Sequence, residues 1–161
     1  MIRIFLFGFA VITILSCQGS LHDYSKQEKE IKAFLDNYAR LLQNAKFDSV
    51  ALLYVDSGFI SSGYGQINVQ GIDSIKASYS RLPKITNDFR WENTRIKLLS
   101  QDAALVTSLF YWHDKDSPDT TKTSYSGVYL KSNTGWKIMH EHESLDLEVL
   151  RKMFKQSDQG Q

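Results

Sequence analysis

Gly135-Trp136-Lys137-Ile138-Met139-His140-Glu141-His142-Glu143-Ser144 changes character at almost every step, and a two-residue period is that of a β-strand. Trp136, Ile138, His140, His142 and Ser144 then share one face, and Lys137, Met139, Glu141 and Glu143 the other. The apolar Trp136 and Ile138 assign the first face to the interior, which aims two imidazoles inward and leaves both glutamates outside. Phe89 to Leu99, Ala103 to His113 and Lys122 to Ser132 read as three further long strands. Gln101-Asp102, Asp114 to Thr121 with Pro118, and Asn133-Thr134-Gly135 supply the turns between them. Strands joined so closely form successive hairpins, hence an antiparallel, curved sheet. Within Ala103 to His113, Leu105, Thr107, Leu109, Tyr111 and His113 lie on one side and Ala104, Val106, Ser108, Phe110 and Trp112 on the other. Neither side is charged, so this strand is expected to be covered on both, by helices on one and a second subunit on the other.

Upstream the period changes to that of helices. Ser25-x-x-Glu28 reads as a capping box, followed by Ile31, Phe34, Leu35, Tyr38, Leu41 and Leu42 at three- and four-residue steps. A second helix fits Asp48 to Val55, with Asp48 as its cap, and Asp56-Ser57-Gly58 stops it. Phe59 to Gly65 reads as a strand entering a glycine-rich bend, and Gly71-Ile72-Asp73-Ser74 opens a third helix, which Pro83 closes. Leu145 to Lys155 has a helical stripe of Leu147, Leu150 and Phe154.

Helix, helix, strand, helix and four long strands is the order of the nuclear transport factor 2-like superfamily, and three motifs resemble it. Phe47-Asp48-Ser49-Val50-Ala51-Leu52-Leu53-Tyr54 is similar to its second helix, and Gly71-Ile72-Asp73-Ser74-Ile75 to the start of its third. Gly135 to Ser144 resembles the last strand of the SnoaL-like branch and of the calcium/calmodulin-dependent kinase association domain. The resemblance covers roughly residues 26–146, within a domain set at 26–157. It implies an α+β fold: a curved antiparallel sheet wrapped on N-terminal helices, a cone-shaped, cystatin-like α+β barrel. The superfamily holds isomerases, dehydratases, cyclases, transport factors, assembly domains and plain pocket proteins, so the fold leaves the function open. It also makes the inside of the cone the expected ligand site.

His140 and His142 are therefore the candidate pocket imidazoles and the candidate catalytic groups of an isomerase, dehydratase or hydrolase. Tyr38, Tyr64, Trp91, Tyr111, His113, Tyr125 and Trp136 complete the expected lining. Tyrosine and tryptophan combine apolar area with a polar tip, which suits a small apolar or aromatic ligand. Tyr54, Tyr79 and Tyr129 belong to the same aromatic set, with core packing as their plainer role. The acids Asp56, Asp102, Asp114, Asp116, Asp119, Glu141 and Glu143 fall on turns or outward faces. No buried carboxylate is then at hand to pair with an imidazole, which favours binding over catalysis. A His-x-His pair on a strand can hold zinc only with a third ligand, and nothing brings His113 beside it, so no metal is expected. There is no nucleophile elbow, phosphate loop or dinucleotide fingerprint, and no cofactor is expected.

The beginning of the sequence concerns location. Ile4 to Leu15 is almost wholly apolar behind Arg3; as a helix it reaches about 18 Å at ~1.5 Å per residue, against a bilayer core of ~30 Å. Ile14-Leu15-Ser16-Cys17 resembles the bacterial lipobox, which implies cleavage after residue 16 and lipid on Cys17, the one cysteine of the chain. Residues 1–16 are thus read as a lipoprotein signal peptide and 17–25 as lipidated cysteine and tether. The expected location is the bacterial cell envelope, lipid-anchored on the periplasmic side or outer membrane. In 161 residues, 19 Lys and Arg meet 18 Asp and Glu, a balance that attracts neither nucleic acid nor an acidic surface. At 42% hydrophobic and 23% charged the chain is globular, and the uncharged strand face makes a homodimer the expected assembly. A purely structural dimerisation module is the alternative to a pocket protein.

Overall fold

A computed structural model describes residues 24–57, 59–63, 66–81, 87–114 and 120–145. The elements run α1 (Ser25–Gln43), α2 (Phe47–Ala51), β1 (Phe59–Gly63), β2 (Gln66–Gln70), α3 (Ile72–Ser80), β3 (Asn87–Leu98), β4 (Ala103–Asp114), β5 (Thr120–Ser132) and β6 (Gly135–Leu145). The lipobox, residues 17–23 of the tether, Tyr64, Pro83 and the stripe beyond Leu145 lie outside the described residues.

The helical stripe of α1 is buried as its spacing requires: Ile31, Leu35, Tyr38, Leu41 and Leu42 face the sheet. Its capping box does not form. Tyr24 is the cap residue, without a side-chain cap bond, and the Glu28 N–H donates to the Tyr24 carbonyl at 3.0 Å. Two polar bonds fix α1 across β3: the Trp91 indole donates to the Leu35 carbonyl at 3.1 Å, and Gln43 Nε2 to the Phe89 carbonyl at 2.6 Å. The second helix is shorter than Asp48 to Val55 and starts at Phe47. Its expected last turn is drawn onto β6 instead, where Val55 N–H donates to the Ile138 carbonyl (3.0 Å) and Ile138 N–H to the Leu53 carbonyl (2.9 Å).

The four long strands form the expected antiparallel meander, β3 to β6, and the sheet order is β2-β1-β6-β5-β4-β3. Sequence reading missed β2, which pairs with β1 as a hairpin; β1 joins β6 in parallel, with Ile60 beside His140 and Ser62 beside His142. On the edge strand β2, Ile67 and Val69 are 78% and 76% exposed.

Residues paired across an antiparallel ladder point to the same side, so one face can be followed through the sheet. Trp91 is opposite Phe110, Phe110 opposite Thr123, Ser108 opposite Tyr125, and Ala104 opposite Tyr129. This is the inner face, against the helices, and Ala104, Val106, Ser108, Thr123, Tyr125 and Tyr129 are buried on it. The other side of β4, with Leu105, Leu109, Tyr111 and His113 half-buried and Thr107 exposed, has no helix over it among the described residues.

One irregularity decides what the last strand presents. From the turn onward β6 pairs regularly, Ser132 with Gly135, Lys131 with Trp136 and Tyr129 with Ile138; the next pair is Val128 with His140. Met139 is an extra residue on β6, a β-bulge, and it reverses the phase of everything after it. Glu141 comes opposite Gly127 and Glu143 opposite Tyr125, on the inner face, while His140 and His142 come opposite Val128 and Ser126, on the outer. The expectation of inward imidazoles and outward glutamates is therefore corrected: Glu141 is 8% exposed, and His142 is exposed.

Candidate functional site

Between α1, α3 and the inner face of the sheet lies a cavity of about 310 Å³. The helices contribute Tyr38, Leu42 and Tyr79; β3 and β4 contribute Phe89, Trp91, Phe110 and Trp112; Thr121, Thr123 and Glu143 close the side toward β5 and β6. The rings pack on one another. Phe89 meets Trp91 edge-on at 4.9 Å between centroids and stacks on Phe110 at 5.3 Å, and Tyr38 reaches Trp91 at 5.7 Å. Alternation places these side chains: Phe89 and Trp91 on β3, and Phe110 and Trp112 on β4, are two residues apart on the same side.

Behind the wall runs a chain of hydroxyls that ends on a carboxylate. Tyr38 Oη and Tyr79 Oη are 3.5 Å apart, Tyr79 Oη and Tyr54 Oη 3.0 Å, and Tyr54 donates to both oxygens of Glu141 at 3.2 and 3.3 Å. Tyr125 and Tyr129 form a second pair, 2.7 Å between hydroxyls. Burial holds the pKa of all five tyrosines above the ordinary phenol value, so they stay neutral donors and acceptors. Burial also raises Glu141, to about 8; the neighbouring Glu143 carboxylate adds to the rise, and the Tyr54 hydroxyl opposes it. A carboxyl with that pKa is largely protonated at neutral pH and exchanges its proton near it.

Gly127 makes this arrangement fit. A methyl group there would collide with the Tyr125 hydroxyl and the Tyr129 ring, so the bare backbone opposite Glu141 leaves room for the paired tyrosines.

Of the residues expected to line the site, Tyr38 and Trp91 do so. Tyr125 is one layer behind, with its ring 5.1 Å from Trp91. Trp136 is buried away from the cavity: its indole donates to Glu30 at 3.1 Å, beside the Lys131–Glu30 ion pair of 2.7 Å. These two donors, Lys131 first, hold Glu30 below the usual carboxylate range. Tyr111, His113, His140 and His142 are on the outer face and are corrected as lining residues. Tyr111 there lies 4.5 Å under the Arg90 guanidinium, and Thr120 Oγ1 is 3.5 Å from His113 Nδ1. Sequence reading missed Phe89, Phe110, Trp112, Glu141 and Glu143. Gly127 between Tyr125 and Tyr129 was the available signal, since a glycine inside a strand marks close approach. Among the described residues no group of three or more His, Cys, Asp or Glu is placed to hold a metal ion.

Among the described residues three helices and a curved sheet carry an aromatic cavity beside a buried carboxyl, and the sequence of the chain places it in a family. It belongs to the SnoaL-like domain family, whose sequence profile matches residues 31–148, and thus to the nuclear transport factor 2-like superfamily. Similar solved structures include a protein of unknown function with a cystatin-like fold from Nostoc punctiforme (12% identity, TM-score 0.64, 76% of this chain and 93% of that one). A ketosteroid isomerase-like protein from Erwinia carotovora atroseptica is similar at 22% identity and TM-score 0.59 over 73% and 94% of the two chains. The calcium/calmodulin-dependent kinase II hub homology domain of Chlamydomonas reinhardtii is similar at 17% identity and TM-score 0.62 over 73% and 96%. At these identities the likeness is one of fold, which is the α+β, cystatin-like class expected from the sequence. No curated protein matches the sequence.

Proposed function

We propose that the protein binds a small, largely apolar ligand inside the cone, as a lipid-anchored component of a bacterial envelope. The observation that carries the binding role is the cavity of about 310 Å³ with six aromatic side chains in its wall; its size is near the lower end of known small-molecule pockets. An open cavity favours a pocket over a purely structural module. The anchor rests on the apolar run to Leu15 and on Cys17 at the position a lipobox requires; two or more acyl chains hold a protein to a membrane where one does not. Pairing with a second copy through the outer face of β4 is supported by its half-buried Leu105, Leu109 and Tyr111 and by the likeness to a hub domain.

The binding role is tested by mass spectrometry of small molecules retained by protein purified from native envelope. Retention of an apolar compound that quenches the tryptophans is the expected result, and a cone that retains nothing and binds no apolar probe refutes it. For the anchor, the mature wild-type protein should carry acyl mass on Cys17, and Cys17→Ser should stay uncleaved. A mature chain that starts elsewhere without acyl mass refutes it.

A second reading is proton-transfer catalysis of the isomerase or dehydratase kind. It is favoured by Glu141, buried behind the cavity wall, whose pKa near 8 lies close to working pH, and by Glu143 in the wall itself. The imidazoles on the outer face do not serve this chemistry. Conversion of a retained compound by the wild type, lost in Glu141→Gln while retention persists, is the outcome that distinguishes an enzyme from a binding protein.

A further inference from the structure

The two edges of the sheet differ in chemistry. β3, the outer strand on one side, carries Arg90, Glu92, Arg95 and Lys97, and a β-bulge between Glu92 and Arg95 breaks its line. Charges and bulges are the usual defences of an edge against pairing with another chain. β2, the outer strand on the other side, reads Gln66-Ile67-Asn68-Val69-Gln70. It has no charge, no proline and no register shift against β1. Ile67 and Val69, two residues apart on one face, are more exposed than any other large apolar side chain among the described residues. Among the described residues no strand pairs with the free side of β2.

The order of these five residues points to the occupant that fits. In either direction β2 reads polar, apolar, asparagine, apolar, polar. Alternate residues of an antiparallel strand turn their N–H and C=O groups to the same neighbour. The outward set is therefore either 67 and 69, or 66, 68 and 70, and a two-fold axis through Asn68 maps each set onto itself. We propose that β2 is a self-association edge, at which the β2 strands of two copies pair antiparallel about Asn68 and continue the sheet from one copy into the next. Ile67 of each copy then faces Val69 of the other, a favourable pair of β-branched side chains. Asn68 meets its own counterpart, and an amide both donates and accepts. Like charges meet nowhere along the join, which suits an isologous contact. The edge is distinct from the outer face of β4 and does not depend on it, so copies paired at that face can also be joined edge to edge into larger assemblies.

Disulfide trapping in the full-length protein tests this. Across the axis the two Asn68 Cα atoms come about 4.5–5.5 Å apart, within the ~4.4–6.8 Å that a disulfide spans. The two Gln70 Cα atoms are offset by four residues, about 13 Å at ~3.3 Å per residue. Purified protein is oxidised at high concentration and read on non-reducing gels, with the wild type, whose one cysteine is outside β2, as control. Asn68→Cys should convert largely to a covalent dimer, and Gln70→Cys should stay unlinked like the wild type. Ile67→Lys with Val69→Lys, added to Asn68→Cys, sets lysine opposite lysine and should abolish the link. Both replaced side chains are exposed, so an unchanged denaturation midpoint reports that this variant is folded. Leu109→Glu, which acts on the other contact, should leave the link in place. Equal linking at residues 68 and 70, survival of the link with both lysines, or its loss with Leu109→Glu overturns the proposal. Absence of a link at residue 68 does so too, and a linked product of a mass other than two chains assigns the edge to a different occupant.

Discussion

Replacing Glu141 by glutamine keeps the shape of the side chain and its acceptor for Tyr54, and removes the proton. In the unfolded chain this carboxyl titrates near 4.5; in the folded protein it titrates near 8. Below pH 4.5 both states hold the proton and Glu141 adds no pH dependence. Between the two values the unfolded chain releases the proton while the folded one keeps it, so stability falls as pH rises, by up to about 1.4 kcal/mol per pH unit. Above pH 8 both states are ionised and the loss is complete. Between pH 5 and pH 7 the wild type should therefore lose about 2–3 kcal/mol relative to Glu141→Gln, a large part of the ~5–15 kcal/mol that holds a domain folded. Urea titrations followed by tryptophan fluorescence, at half-unit steps from pH 4.5 to 8.5, measure both proteins. Taking the difference between them cancels the histidines and the other acids. Two stability curves that stay parallel within about 0.5 kcal/mol would show that Glu141 titrates as an ordinary surface carboxyl, and the inward phase of β6 would fall with it.

Three further outcomes are expected. Gly127→Ala should destabilise the fold by about 1–3 kcal/mol, as for other overpacked cores, because its methyl meets the Tyr125 hydroxyl and the Tyr129 ring; an unchanged denaturation midpoint contradicts this. Deletion of Met139 should be tolerated although it lies within a strand, since it removes the bulge and leaves Glu141 opposite Gly127; amide exchange and the Glu141 titration both report whether it is. Leu109→Glu, on the outer face of β4, should convert a dimer to monomers in sedimentation experiments without loss of helix or sheet signal, and a wild type that sediments as a monomer at high concentration rules out the pairing.

The fold was legible in the sequence wherever the alternation of side chains carried a hydrophobic contrast. Phe89 and Trp91 against Arg90 and Glu92 define a strand, and the stripe from Ile31 to Leu42 a helix, whatever the turns between them do. The site was legible only in part, for a physical reason. After Met139 the strand reads His-Glu-His-Glu, in which both sets of alternating residues are polar, so nothing in composition chooses between them. The choice is made by one surplus residue, and a bulge has no composition of its own. Tyr38 and Trp91 could be placed because each belongs to an element with an unambiguous apolar face. Tyr111 and His113 were misplaced because both faces of β4 are uncharged, and periodicity alone does not say which one the helices cover.

The parallel join between β1 and β6 has a consequence for synthesis. The last strand of the meander occupies the middle of the sheet, between β1 and β5, and the Tyr54–Glu141 contact closes a span of 87 residues. Until Gly135 to Leu145 has been made, the β1–β2 hairpin has no neighbour to join, and the meander up to β5 offers it only an unfilled edge. Contacts so distant in sequence form slowly and late, and a chain waiting for them exposes unpaired strands. Folding of this domain is thus tied to the synthesis of β6: a polypeptide that stops short of it remains open, and its arrival seals the helical half and the sheet half together.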